Sequence, residues 1–339
     1  MLQRRRFSIA VKSVIATGAL LITSLASSNL MAADLTLKLG HVGAPVSPQE
    51  TIGKMFADKV AKYSNGTLQV QIFNTSTLGN ERQLQEGVRS GTIDMAIAAS
   101  FSHFVPWAGA LEAPMLYQNM DHFVRFYSGP QGVALLEQFK KDAKVEALFV
   151  APHGGFRYIT VKGAEVHKPA DLKGVKVRNP NVPAFNVMAK AVDAIPVPID
   201  FAELYVALQR GVVDGQHNPV ANIVGAKLNE VQTSLSQVPW GITPHIVSMS
   251  NRAWSRLDNV QKDAVRKASQ EIVKEYPDIA RSEEKQLLDS IRSSIKIIPP
   301  EQIDVEAFAK VFQEKGLPML KSEYGEAAGR WLDAINATR

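Results

Sequence analysis

From Leu35 the chain alternates, with Leu35, Leu37 and Leu39 apolar and the residues between them polar. This is the period-two pattern of a half-buried strand. The pattern breaks over residues 41–45 and the period changes. Ile52, Met55, Phe56, Val60 and Tyr63 recur at helical spacing, behind Ser47 at N-cap, Pro48 at N1 and Glu50 at N3, which together read as a capping box. Asn65-Gly66 turns the chain into a second alternating strand through Leu68, Val70 and Ile72. A helix over 81–90 is expected to stop at Gly91, and 93–98 reads as a buried strand.

Strands and helices continue to alternate, which predicts βαβ units and a largely parallel sheet. After Phe149 and Val150, His153-Gly154-Gly155 marks a crossing with the character of a hinge. A strand over 175–178, a helix after Asn181, a proline-rich edge over 195–199 and a helix over 202–210 follow. Residues 258 to about 293 are continuously helix-friendly except for Pro277, which is expected to kink a rod roughly 50 Å long. Such a helix suits packing along two lobes. Residues 305–336 read as one or two more helices. Leu84, Gly91 and Asp94 recur in type and spacing as Leu204, Gly211 and Asp214, a weak internal echo of two similar lobes.

Composition changes the picture mainly at the N-terminus. Arg4, Arg5, Arg6 and Lys12 precede an apolar stretch from Val14 to Leu25, then small residues and Met31-Ala32-Ala33. Residues 1–33 are therefore read as a secretory signal peptide, by the Sec route ahead of the twin-arginine one, with an uncleaved anchor as the alternative. The formal net charge is +5, and this leader holds four basic residues and no acidic ones, so the remainder is near +1. No basic patch points to nucleic acid. Cysteine is absent, which removes disulfide and thiolate chemistry, and about 300 residues can bury a sufficient core without disulfides.

Enzyme signatures fail. There is no Walker loop, dinucleotide glycine fingerprint, Gly-x-Ser-x-Gly elbow or His-Glu-x-x-His. Ser282-Glu283-Glu284-Lys285 has a Ser-x-x-Lys spacing but lies in a charged helical run, and a solvated face is the favoured reading. The seven histidines, at 41, 103, 122, 153, 167, 217 and 245, show no ligand spacing, so no metal is expected. What remains is a pair of segments. In the first, residues 171–180, Arg178 lies where a strand gives way to a loop, the place where open α/β sheets bind ligands. Its guanidinium matches a carboxylate bidentately, although an ordinary solvated strand-end arginine has the same local signature. In the second, residues 201–219, Asn218 precedes Pro219, so its amide either faces a ligand or caps a helix.

These two segments, with Lys38-Leu39-Gly40-His41-Val42 and Thr77-Leu78-Gly79-Asn80-Glu81, resemble the solute-binding proteins of TRAP transporters, the DctP family. The carrying motifs are Lys176-Val177-Arg178 and Leu208-Gln209-Arg210-Gly211-Val212-Val213-Asp214-Gly215-Gln216-His217-Asn218-Pro219, and the likeness runs in order through essentially the whole mature chain. The resemblance implies a periplasmic, non-enzymatic receptor without a cofactor that hands a small organic acid to the membrane subunits of an ion-coupled secondary transporter; a monomer is the default expectation. It implies an α/β fold of two lobes, each a mostly parallel sheet flanked by helices, with the long kinked helix spanning both. The lobes are expected to be discontinuous, 34–155 with about 244–283 in the first and 156–243 with about 284–339 in the second.

The same resemblance assigns residues. Arg178 matches the carboxylate-binding arginine, Arg157 a second cleft arginine, Asn218 the polar residue after the Asp-Gly-Gln motif and Phe201 an aromatic wall. Val42, Glu81 and Ala99 fall where first-lobe contacts occur. His217 departs from the more usual Glu, and Ala99 and Ser100 stand where some sugar-acid binders carry a carboxylate. Apolar Val42 and Ala99, with the aromatic Phe156, Phe201 and Trp240 as candidate neighbours, point to a C4-dicarboxylate, oxo acid or aromatic acid rather than a sialic-acid-like sugar, with a sugar acid such as a uronate or aldonate as the alternative. A sensory co-receptor for a membrane kinase would share this fold and site.

Overall fold

The computed structural model describes residues 35–99 and 101–338; the signal-peptide assignment and Ser100 lie outside the described residues. Two sheets organise the chain. The first contains β1 (Leu35–Gly40), β2 (Leu68–Phe73), β3 (Met95–Ala98) and β4 (Glu146–Pro152). The second contains β5 (Arg157–Val161), β6 (Lys176–Asn179), β7 (Ile195–Pro198), β8 (Gly215–Pro219) and β9 (Ser234–Gly241). The chain then returns β10 (Pro244–Met249) to the first sheet and adds β11 (Lys296–Ile298) to the second. The strand orders are β2-β1-β3-β10-β4 and β11-β9-β5-β8-β6-β7. Each sheet is parallel except for one strand, β10 in the first and β5 in the second, the strands that arrive from the other lobe. Proline-bearing β7 sits at a sheet edge, where a missing N–H disrupts least.

The internal echo is a repeated structural device. Leu84 and Leu204 are both fully buried, Gly91 and Gly211 both hold positive φ (78° and 71°), and each aspartate ties a strand. Asp94 Oδ2 accepts from Lys38 N–H at 2.9 Å, and Asp214 Oδ2 accepts from Lys176 N–H at 2.9 Å. Each pair thereby fixes a parallel strand, β1 or β6, beside the next one, β3 or β8. Burying each leucine contributes about 1.5–3 kcal/mol.

Local chemistry departs from expectation at one helix start. Ser47 caps the helix Pro48–Tyr63 by accepting from Glu50 N–H, but Glu50 does not complete the box. Its carboxylate is drawn instead to His41 Nε2 and Asn74 Nδ2, each at 3.1 Å, because burial there demands partners. The helix Asn259–Ile291 starts with a full capping box between Asp258 and Gln261. It runs unbroken through Pro277, whose missing N–H leaves the Val273 carbonyl without its intrahelical donor. It packs on the helix Pro48–Tyr63 in the first lobe and on the helix Val220–Gly225 in the second. Its charged run is only partly a solvated face. Ser282 and Lys285 are exposed, whereas Glu283 accepts from Thr51 Oγ1, and Glu284 accepts from Tyr158 Oη at 2.6 Å and Phe156 N–H at 3.1 Å.

Two short crossings join the lobes side by side, β4 to β5 and β9 to β10, linked by His153 N–H donating to Thr243 O at 2.9 Å. The C-terminal segment is not confined to the second lobe. The helix Leu317–Asn336 lies on the 3-10 turn Pro106–Glu112, with Trp331 against Trp107 (centroids 6.1 Å apart), and His122 Nε2 bonds Ile335 O. Amphipathic periodicity shows that a face of this helix is buried, not what buries it.

Candidate functional site

A cleft of about 460 Å³ opens between the two sheets, beside the paired crossings. It gathers most of the residues singled out in the sequence. Val42, Glu81 and Ala99 line it from the first lobe, and Arg157, Arg178, Phe201 and Asn218 from the second. Arg178 is the penultimate residue of β6, and parallel pairing with β7 and β8 places it at the carboxyl end of that sheet. The solvated strand-end alternative does not hold, since Arg178 is 3% exposed. Asn218 is the fourth residue of β8, and the helix after it takes Pro219 as N-cap with no side-chain cap bond, so Asn218 is not a cap.

The two arginines are held differently. Arg157 donates from Nε to His217 Nδ1 (2.9 Å), from Nη2 to His217 O (2.7 Å) and Asn218 Oδ1 (3.1 Å), and from Nη1 to Thr243 Oγ1 (3.4 Å). Because an arginine only donates, His217 Nδ1 must accept, which puts the imidazole proton on Nε2, donating to Asn179 Oδ1 at 2.9 Å. Arg178 spends only Nε, on Ile199 O at 2.8 Å. No described residue accepts from its two Nη groups. The Arg178 guanidinium sits 6.0 Å from the Phe201 ring centroid.

Electrostatics sharpen the contrast. Burial first, then the charge of Arg178, pull Arg157 down to about 9. Burial pulls Arg178 down to about 10 against the opposing charges of Glu81 and Asp200. Both stay cationic at neutral pH. Burial pushes the Glu81 carboxyl up, offset by the Ala99 N–H that donates to it at 2.6 Å and by the two arginines. His217 is held neutral, chiefly by burial and then by the arginine charges. At the crossings His153 and His245 stack with centroids 3.8 Å apart, both lowered, burial first, and His245 reaches about 3. Across the mouth, Asn80 Nδ2 on the first lobe donates to Asp200 Oδ2 on the second at 3.1 Å.

Two aromatic candidates are not in the lining. Trp240 is 1% exposed in the core, 5.7 Å from the His217 ring and 6.4 Å from Phe308, a layer behind the site. Phe156 packs into the hydrophobic clusters of the core. The sequence reading placed them near the ligand because an aromatic residue close to a site motif looks the same whether it faces cleft or core. The cleft also recruits Gln49, Gln85, Asn222, His153, His245 and Thr243, which sequence reasoning did not select. One signal was available for Asn222, which stands four residues beyond Asn218. Gln49 and Gln85 sit within mixed helical faces and gave none.

A profile for bacterial extracellular solute-binding protein family 7, DctP, matches residues 39–321. The chain belongs to this family. DctP proteins are solute-binding receptors of TRAP transporters, not enzymes. Among its relatives, the Escherichia coli 2,3-diketo-L-gulonate-binding periplasmic protein YiaO is 30% identical over 299 residues, 86% of this chain and 89% of that protein. A TRAP periplasmic solute-binding protein of Polaromonas, solved with D-erythronate, superposes with TM-score 0.82 at 26% identity, covering 89% of this chain and 98% of the other. One from Sulfurospirillum deleyianum, solved with succinate, gives TM-score 0.81 at 27% identity, covering 91% and 100%. The two-lobed α/β architecture is thus that of the DctP family. No helix among the described residues is long and apolar enough to cross a membrane.

Proposed function

We propose that this DctP-family chain is a periplasmic receptor that closes its lobes on a small organic acid, clamps the carboxylate with Arg178 and presents the closed form to TRAP membrane subunits. The observation that carries the reading is the asymmetry between two buried arginines. Arg157 is bonded to His217, Asn218 and Thr243, whereas both Nη groups of Arg178, at the end of β6, find no acceptor among the described residues. A buried guanidinium with an unused fork is stabilised by a planar anion, and a carboxylate fits it bidentately. The similar proteins named with ligands above bind diketogulonate, erythronate and succinate, all of which carry a carboxylate.

Closure follows from differential binding. The open form admits the acid, and the closed form adds Val42, Glu81 and Ala99 of the first lobe to Arg178, Asn218 and Phe201 of the second. Desolvating both charges is costly, so the added hydrogen bonds decide the net affinity. A thermal-shift screen of organic acids tests the reading. The cognate acid should raise the midpoint progressively with concentration, following RT ln(1 + [L]/Kd). Stabilisation by neutral sugars and by no acid would refute it.

A further inference from the structure

We infer that the cleft reads hydroxyl groups along the body of a monocarboxylate, through Gln49, Gln85, Asn222 and His153, and disfavours a second carboxylate. The inference rests on the carboxylate clamp proposed above and names the class of acid that the clamp takes. It reverses the preference for a less hydroxylated ligand drawn from the sequence.

The first support is a chain of fixed orientations. Arg157 only donates, so Asn218 Oδ1, 3.1 Å from its Nη2, is an acceptor. Asn222 Nδ2 donates to that same oxygen at 3.4 Å and to His153 Nε2 at 3.1 Å. Asn222 Oδ1 is therefore turned away from both, and it is buried without a partner. His153, neutral and accepting at Nε2, carries its proton on Nδ1, which is also buried without a partner. Gln49 Oε1 and Gln85 Oε1, on residues 1% and 4% exposed, and His245 Nδ1 complete the set. All five residues line the one cleft. Buried polar groups in folded proteins are almost always satisfied, and orphaned ones gathered around a cavity call for an explanation. Here three amide acceptors and the His153 donor stand together with His245 Nδ1, a ring nitrogen that donates or accepts according to its tautomer. A hydroxyl, which both donates and accepts, satisfies that mixture; a carboxylate, which only accepts, does not.

The second support is independent and concerns charge. A second carboxylate buried away from Arg178 would need a cation of its own. Arg157 has already committed Nε, both protons of Nη2 and one of Nη1 to His217, Asn218 and Thr243. His153 and His245 are neutral, and the other basic lining residues, Arg82 and His103, lie on the exposed rim, with Arg82 paired to Glu86. The acidic groups Glu81 and Glu112 also line the cleft and would repel a second anion. The site is thus built for one charge and several neutral polar groups.

The test is calorimetry on the intact protein with acids matched in length. Erythronate and threonate are compared with butanoate and succinate, and gluconate, galactonate and mannonate with hexanoate and adipate. The tightest polyhydroxy acid should bind at least about 100-fold more tightly than the plain and dicarboxylic acids of its length, because sites built to bond a hydroxyl reject analogues lacking it. Gln85→Leu and Asn222→Leu should each shrink that ratio by about tenfold, the usual scale for a lost buried hydrogen bond. If succinate, adipate or a plain acid binds as tightly as every polyhydroxy acid, and Arg178→Lys abolishes that binding, the hydroxyl inference is wrong and the clamp stands. If no acid binds at all, or Arg178→Lys leaves binding intact, the clamp itself fails and takes this inference with it.

Discussion

Replacing Arg157 by methionine separates a structural arginine from a ligand-binding one. The substitution keeps side-chain length but removes the donors to His217 Nδ1, His217 O and Asn218 Oδ1. The two His217 acceptors then each lose a buried donor, at about 1–3 kcal/mol each. Asn218 Oδ1 loses less, since it keeps the longer bond from Asn222. Part of the cost is returned, because a buried charge repelled by Arg178 has gone. The net expectation is a loss of about 2–4 kcal/mol of stability in the ligand-free protein. Arg178→Met gives up one bond, to Ile199 O, and also relieves a buried charge, so it should stay within about 1 kcal/mol of the parent protein. Urea unfolding of both variants without ligand is the assay, with an unchanged slope confirming that the midpoint shift reports stability. A stable Arg157→Met protein beside an unstable Arg178→Met one would refute the division of labour.

Other regions give further expectations. A Cβ on Gly155 would overlap Glu284 Oε2, so Gly155→Ala must displace the carboxylate that holds Phe156 and Tyr158 at the crossing. It should lower the urea midpoint by the equivalent of about 1–3 kcal/mol, and an unchanged midpoint would show that this strap does not hold the crossing. His153, His217 and His245 are all depressed by burial, so the folded protein keeps them neutral while the unfolded chain protonates them near 6.5. Stability should therefore fall as pH drops below about 6.5, by up to about 1.4 kcal/mol per unit per histidine, with the His245 contribution ending near 3. Urea midpoints that stay flat from neutral pH to mildly acidic pH would contradict that state of the histidines. Asp200→Ala removes the Asn80–Asp200 bond between the lobes and should quicken ligand release by less than about tenfold, an off-rate change that stopped-flow fluorescence would detect or exclude.

Much of the scaffold was legible in the sequence because its signals are local. Alternation at Leu35, Leu37 and Leu39, the glycine stop at Gly91 and the Asp258 start of the long helix each depend on neighbours a few residues away. The echo of Asp94 in Asp214 was visible as spacing, but its meaning, an aspartate tying a parallel strand, needed coordinates. Arg178 was legible as a strand-end arginine and Asn218 as a residue before proline. What could not be read was the state of their donors. That Arg157 is committed and Arg178 free depends on His217, Thr243 and Ile199, which lie between 21 and 86 residues away in the chain. Trp240 and Phe156 lie outside the lining, and whether a side chain near the crossings meets cleft or core is decided by the packing of both lobes. Gln49 and Gln85 went unnoticed because a polar residue on a helix carries no mark of burial until the helix is packed.

The central claim is that the unused fork of Arg178 takes the carboxylate. Calorimetry on Arg178→Ala, with the acid that most stabilises the parent protein and with the variant's urea midpoint confirming a folded state, tests it most directly. The account predicts a loss of about 2–5 kcal/mol in binding free energy, the scale for leaving a buried charge without its partner. Parent-like affinity for that acid would contradict it.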